Sequence, residues 1–179
     1  MKMDKVAGSK NDEFYTPQYA IYPILKYLKP NSVIWCPFDT KDSNFVKILK
    51  QKGHKVIYSH IKEGVDFFNY VPRFQYDYII SNPPYSLKTE VLEKLFLFNK
   101  PFAMLVGVVG LFESQKRFNM FKNNVFEVLY LNRRVSFMKS FDSNKCELNP
   151  PFSSVYLCSK ILPKQICFEE IIKCQKQLD

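Results

Sequence analysis

The sequence predicts a single α/β domain: a mostly parallel sheet with helices on both faces and an antiparallel C-terminal edge. Three observations carry this. A chain of 179 residues matches the usual size of one domain. Through the first hundred residues, short apolar strand-like runs alternate with amphipathic segments, the pattern of a parallel sheet covered on both sides. Beyond residue 125 the strand-like runs follow one another directly, which suggests an antiparallel edge or a hairpin. No repeat, low-complexity stretch or Pro/Gly/Ser linker divides the chain, so residues 1–179 read as one domain, with 1–11 polar and flexible.

The elements follow in order. From Pro17 to Leu28, apolar residues at Tyr19, Ile21, Tyr22, Ile24, Leu25 and Leu28 keep near-helical spacing, with Thr16 placed as N-cap. Ser32–Cys36 is a short buried strand, and the amphipathic run from Ser43 ends at Gly53 as a helix. Lys55–Tyr58 is a second strand. Tyr76–Ser81 is a third, opening directly into Asn82-Pro83-Pro84-Tyr85. Leu87–Phe98 carries Val91, Leu92, Leu95 and Phe96 on one helical stripe. Phe102–Val109 is the most apolar strand, and Ser114–Asn123 is a further helix. The remainder is strand-rich: Val125–Leu131, Arg134–Met138 and Ser153–Cys158, with a polar loop over 140–151.

Composition narrows the function. With 46% hydrophobic and 24% charged residues the chain can bury a core. It holds only 5 glycines against 17 Phe and 11 Tyr, which argues against a phosphate-cradling P-loop. The 5 cysteines lack close-paired spacing and the 2 histidines, His54 and His60, lack zinc-site spacing, so the expectation is reduced thiols and no metal. No apolar run suits a membrane span or signal peptide, which points to a cytoplasmic protein without a membrane partner.

The chemistry concentrates at residues 82–85. Ligands of parallel α/β sheets sit outside the carboxyl ends of the strands. Two consecutive prolines fix φ, remove two donors and hold a rigid corner. That corner offers the Asn82 amide and the Pro83 carbonyl as acceptors, with Pro84 bracing it and Tyr85 adding a flat ring. Such a set suits a planar heterocycle with an amino group. The lone pair of an adenine amine is delocalised into the ring. Two acceptors on its N–H groups free that lone pair and stabilise the charge that builds as a methyl group arrives. An aromatic ring can stack on an extruded base. A plain proline-rich turn is the competing reading; its place directly after a buried strand weighs against it.

On these residues the chain resembles the S-adenosylmethionine-dependent N6-adenine methyltransferases, and among them small orphan or phage-borne members. The resemblance covers roughly residues 11 to 160. It implies a Rossmann-like methyltransferase domain and methyl transfer to adenine in DNA, with adenine in RNA, or an inactive nucleic-acid-binding subunit, as alternatives. It assigns catalysis to Asn82, Pro83, Pro84 and Tyr85. Phe14, Tyr15, Thr16 and Pro17 are similar to the segment that closes over the methionine part of the cofactor. Asp66, in Glu63-Gly64-Val65-Asp66-Phe67-Phe68, is placed on the cofactor's adenine amine. The first strand departs from the family pattern. Pro37 and Phe38 remain, but Cys36 stands where an acid is expected and no glycine follows, leaving Asp39 as the substitute acceptor. Tyr58-Ser59-His60 likewise occupies the place of an acid on the ribose.

A net charge of +9 fits a nucleic-acid partner, DNA before RNA. Ser86, Lys88, Lys116, Arg117, Arg133 and Arg134 follow the catalytic corner and are the candidate contacts. The length leaves no room for a separate target-recognition domain, so the expectation is that specificity is low and short, or that a partner subunit supplies it, or that the substrate is recognised by shape.

Overall fold

The computed structural model describes residues 14–140 and 146–173. The flexible tail expected over 1–11 lies outside the described residues, as does part of the loop expected over 140–151. Among the described residues, nine strands form a seven-stranded sheet of order β2-β1-β3-β4-β8-β5-β9 and a separate β6-β7 hairpin. One half of the sheet consists of β1 (Val33–Cys36), β2 (Lys55–Tyr58), β3 (Tyr78–Ser81) and β4 (Phe102–Gly107), all mutually parallel, with β2 at the edge. β8 (Ser154–Ser159) is antiparallel both to β4 and to β5 (Glu127–Leu131), while β9 (Ile166–Glu169) runs parallel to β5. The antiparallel edge expected at the C-terminus is therefore corrected: one reversed strand lies inside the sheet, and the edge strand is parallel to its neighbour. β8 has all six residues buried, which is why it sits inside.

Alternation along the strands builds two cores. Ile34, Cys36, Tyr78, Ile80, Ala103, Leu105, Tyr156 and Cys158 face one side, with Phe45, Ile48 and Leu49 of helix α2 (Asn44–Gln51) packed against them. Trp35, Ile79, Met104, Val106, Val155 and Leu157 face the other, covered by Val91, Leu92 and Leu95 of α3 (Lys88–Phe98) and Phe121 of α4 (Gln115–Asn123). Helices thus lie on both faces. Gly53, at φ 88°, supplies the left-handed residue that stops α2.

Two elements differ from their sequence reading. The long first helix is broken into a 3-10 turn at Gln18–Ala20 and a one-turn helix α1 (Tyr22–Leu25), because Pro23 cannot donate into a continuing helix. Thr16 is not the N-cap; Pro17 holds that place, and the buried Thr16 offers its carbonyl to Asn44 Nδ2 at 2.8 Å. The polar loop contains β7 (Cys146–Leu148), paired with β6 (Phe137–Met138). Among the described residues no helix is long and apolar enough to cross a membrane.

Candidate active site

The carboxyl ends of β1, β2 and β3 are adjacent, and the loops leaving them surround a cavity of about 440 Å³, within the size range of small-molecule sites. Its wall brings together Phe14, Tyr15 and Thr16, Pro37, Phe38 and Asp39, Asp66, and Asn82, Pro83 and Pro84. Residues from four distant stretches of sequence meet at one crevice. Pro17 and Tyr85 do not line it.

Asn82 holds the most informative geometry. Its amide nitrogen donates to the Phe14 carbonyl at 2.9 Å, which fixes which end of the amide is oxygen. Its Oδ1 is buried and accepts from no described residue. An unpartnered buried acceptor is costly, roughly 1–3 kcal/mol, and is retained where a ligand completes it.

Tyr85 differs from its expected role as an open platform. Only 7% exposed, it stacks on Phe14 (centroids 5.2 Å apart, planes 28° apart) and meets the edges of Phe137 and Phe152. The cause lies upstream: Tyr15 and Met138 exchange backbone hydrogen bonds, which lay the entering segment along β6 and place Phe14 on the ring. Phe152 belongs to a second Asn-Pro-Pro-aromatic string, Asn149 to Phe152, which leads into β8. Sequence reading passed over it as loop; the repeat of the 82–85 pattern was the available signal. Gly107 makes room for this ring, since a Cβ there would stand 2.8 Å from it.

Asp39 is buried beside the Asn82–Tyr85 corner. Its carboxylate accepts from the Ser81 hydroxyl, and its own N–H donates to the Ser59 carbonyl at 3.2 Å, so one residue ties together the ends of β1, β2 and β3. Burial pushes its carboxyl up to about 6, opposed by the bonds from Ser81 and Ser43. Cys36, at the position where the resemblance expects an acid, instead points into the core, and burial raises its thiol well above the ordinary range. Asp66 accepts from Phe68 N–H at 3.0 Å and Asn69 Nδ2 at 2.8 Å, an Asx turn that leaves carboxylate lone pairs for a further donor. Its loop is held from behind by Lys94 of α3, whose ammonium donates to the carbonyls of Phe67, Phe68 and Tyr70 at 2.7–3.2 Å. Desolvation lowers the Lys94 pKa. His60 lines the cavity and accepts Lys62 N–H on Nδ1.

The basic candidates divide. The Arg117 guanidinium donates to the Leu111 carbonyl at 2.9 Å and also to Gly110 O and Thr89 Oγ1, so it organises the loop after β4. Lys88 donates to Gly107 O and Val109 O on the same stretch. Lys116 is exposed and paired with Glu93 at 2.8 Å. Ser86, Arg133 and Arg134 are exposed. The arginine pair follows the carboxyl end of β5, which runs in the same direction as β4, and so shares the cavity's end of the sheet.

No protein-family model and no curated protein matches the sequence. Among solved structures, the fold is similar to the type I restriction-modification system methyltransferase subunit from Streptococcus thermophilus: TM-score 0.51, 14% identity, covering 88% of this chain and 47% of that one. The chain spans just under half the length of that subunit, and at this identity the likeness concerns the fold alone.

Proposed function

We propose that this chain transfers a methyl group from S-adenosylmethionine to the N6 amine of adenine in DNA, within a Rossmann-like methyltransferase fold. The observation that carries the reading is Asn82: an amide fixed through Phe14, with a buried Oδ1 awaiting a donor at the wall of a ligand-sized cavity. An amine N–H is the donor that atom lacks.

The residues present fit the cofactor. Asp39 would hold its cationic amino end, with Pro37 and Phe38 beside it, Asp66 would accept from its adenine amine, and Phe14 to Thr16 would close the methionine side. When bound, the cofactor supplies an electrophilic methyl group. Asn82 Oδ1 and the Pro83 carbonyl accept the two N–H bonds of the target amine, favour its pyramidal form and stabilise the positive charge that builds on nitrogen. Pro84 keeps the corner from relaxing. The target base reaches the face of Tyr85 when Phe14 yields it, so the 14–16 segment couples closure of the site to base entry. Arg133 and Arg134 contact the phosphate backbone. The reading is tested by labelled methyl transfer from S-adenosylmethionine to unmethylated adenine-containing DNA, with RNA of the same sequence alongside. Transfer to DNA that is lost in Asn82→Ala is the expected result; transfer to RNA alone moves the substrate class.

A second reading rests on the loop 36–41, which has no glycine: a nucleic-acid-binding subunit that no longer holds cofactor. Calorimetry with S-adenosylmethionine separates the two, since absence of binding leaves only the second.

A further inference from the structure

The seven-stranded sheet ends at β9, and the outer side of that strand pairs with no other strand among the described residues. Its backbone parity is fixed. Val128 N–H bonds Gln165 O at 2.7 Å and Asn132 N–H bonds Glu169 O at 3.1 Å, so the odd-numbered residues address β5. By alternation the N–H and C=O groups of Ile166, Phe168 and Glu170 address the open edge. One face of this edge is also apolar. Ile166 is 54% exposed and Phe168 73%, and Phe168 packs on Tyr130 of β5, itself 48% exposed, at 5.8 Å between centroids.

Soluble proteins blunt such edges with charge, proline or a covering element. Here the charges are arranged differently. Ile166 and Phe168 stand on the exposed face of the strand, with the exposed Lys164 in the bend that leads into it and the exposed Glu170 directly after it: a cation before, an anion behind, and two large apolar residues between them. This order is self-complementary when the strand is reversed on itself. An antiparallel copy centred on Cys167 sets Lys164 against Glu170, Ile166 against Phe168, and each pair recurs by symmetry. The parity agrees for Ile166, Phe168 and Glu170, whose backbone groups address the edge. Centring one residue further along would put Lys164 against Ile172 and Phe168 against itself, losing both charge pairs.

We infer that β9 is a homodimerisation edge, pairing antiparallel with β9 of a second copy about a two-fold axis at Cys167. The interface is isologous, as closed two-fold contacts are. It joins two seven-stranded sheets into one and buries Ile166 and Phe168 of each copy. The edge is short, so the dimer is weak and concentration-dependent rather than obligate. The axis reverses strand direction between copies, so the two cavities open at opposite ends of the joined sheet. Nothing in this inference depends on the activity proposed above.

Sedimentation equilibrium on the full chain, over a wide concentration range, tests it. A monomer–dimer equilibrium is expected. Phe168→Lys is expected to weaken it by about tenfold or more. Lys164→Glu, which reverses two pairs at once by symmetry, weakens it by about tenfold, and Lys164→Glu/Glu170→Lys restores it to within about twofold. A chain monomeric at every concentration overturns the inference. So does a dimer indifferent to Phe168→Lys, or one that the double reversal fails to restore. All three positions are exposed, and far-ultraviolet circular dichroism confirms that the variants fold. Should Phe168→Lys fail to fold, the charge reversal alone decides.

Discussion

Replacing Asp39 by Asn separates what this carboxylate costs the fold from what it gives the site. The side chain is buried, and its carboxyl is raised from 3.8 to about 6. In the native state it therefore holds a proton more tightly than in the unfolded chain. Between those two values the native state binds more protons, so stability is full below about pH 4 and falls as pH rises toward 6. The difference of about 2 units corresponds to roughly 3 kcal/mol lost by neutral pH, at about 1.4 kcal/mol per unit. An amide of the same shape still accepts from the Ser81 hydroxyl but carries no charge. Asp39→Asn is thus expected to gain about 3 kcal/mol relative to the parent between pH 4 and pH 7.5, read by urea unfolding at both values. At the same time it removes the anion proposed to hold the cofactor's amino group, so S-adenosylmethionine binding weakens by about tenfold or more. In the parent, affinity falls about tenfold per pH unit below 6, as the carboxyl takes up its proton. A stability difference that is the same at pH 4 and pH 7.5 would falsify the account of the buried charge. Unchanged cofactor affinity in the variant refutes its role in binding.

Other expectations follow from single contacts. Asn82→Ala should lower methyl transfer by about 100-fold or more in single-turnover assays while leaving cofactor affinity by calorimetry within about threefold, since the acceptor is proposed to act on the target amine. Lys94→Met removes an ammonium that holds three carbonyls behind Asp66; it should cost about 2 kcal/mol in urea unfolding and raise the KM for S-adenosylmethionine more than it lowers kcat. Gly107→Ala drives a methyl group to 2.8 Å from the Phe152 ring and should destabilise by about 1–3 kcal/mol, with Phe152→Leu recovering part of the loss. Arg133→Ala and Arg134→Ala should each reduce the salt slope of DNA binding by about 1, measured by fluorescence anisotropy across a salt series.

What the sequence disclosed and what it withheld divide along the range of the interactions. β1 to β4 and their helices were legible because each depends on a local pattern: an apolar run bounded by turns, or a stripe at helical spacing. The position of β8 was not, since its direction depends on which strands flank it and its own residues are apolar in either orientation. β9 escaped because its register is set from a distance. The Glu127 carboxylate accepts from the N–H groups of Lys160, Ile161 and Leu162 and fixes the turn that leads into it. At the site, Asn82 to Tyr85 stood out as a string. That Phe14 would lie on Tyr85 did not, because it follows from the pairing of Tyr15 with Met138, more than a hundred residues away.

The glycine-poor first loop shows how the same place can be built from different parts. A glycine-rich turn serves a ligand by exposing backbone N–H groups at close approach. In this chain three of those groups are engaged internally. Asp39 N–H bonds Ser59 O, Thr40 N–H bonds Ser43 Oγ, and Ser43 N–H bonds Thr40 O, at 3.0–3.2 Å. The loop therefore offers a ligand side chains instead: the Asp39 carboxylate and the Ser43 hydroxyl at the cavity wall. Backbone donors favour an anion, whereas a buried carboxylate favours a cation. The loop's polarity thus selects for a positively charged group at this end of the cavity. The α-amino group of S-adenosylmethionine meets that requirement; a free phosphate does not. Competition by ligands that carry or lack an amino group at this end discriminates the two. If a deaminated analogue of the cofactor binds as tightly as the parent, Asp39 serves only to tie β1 to β3.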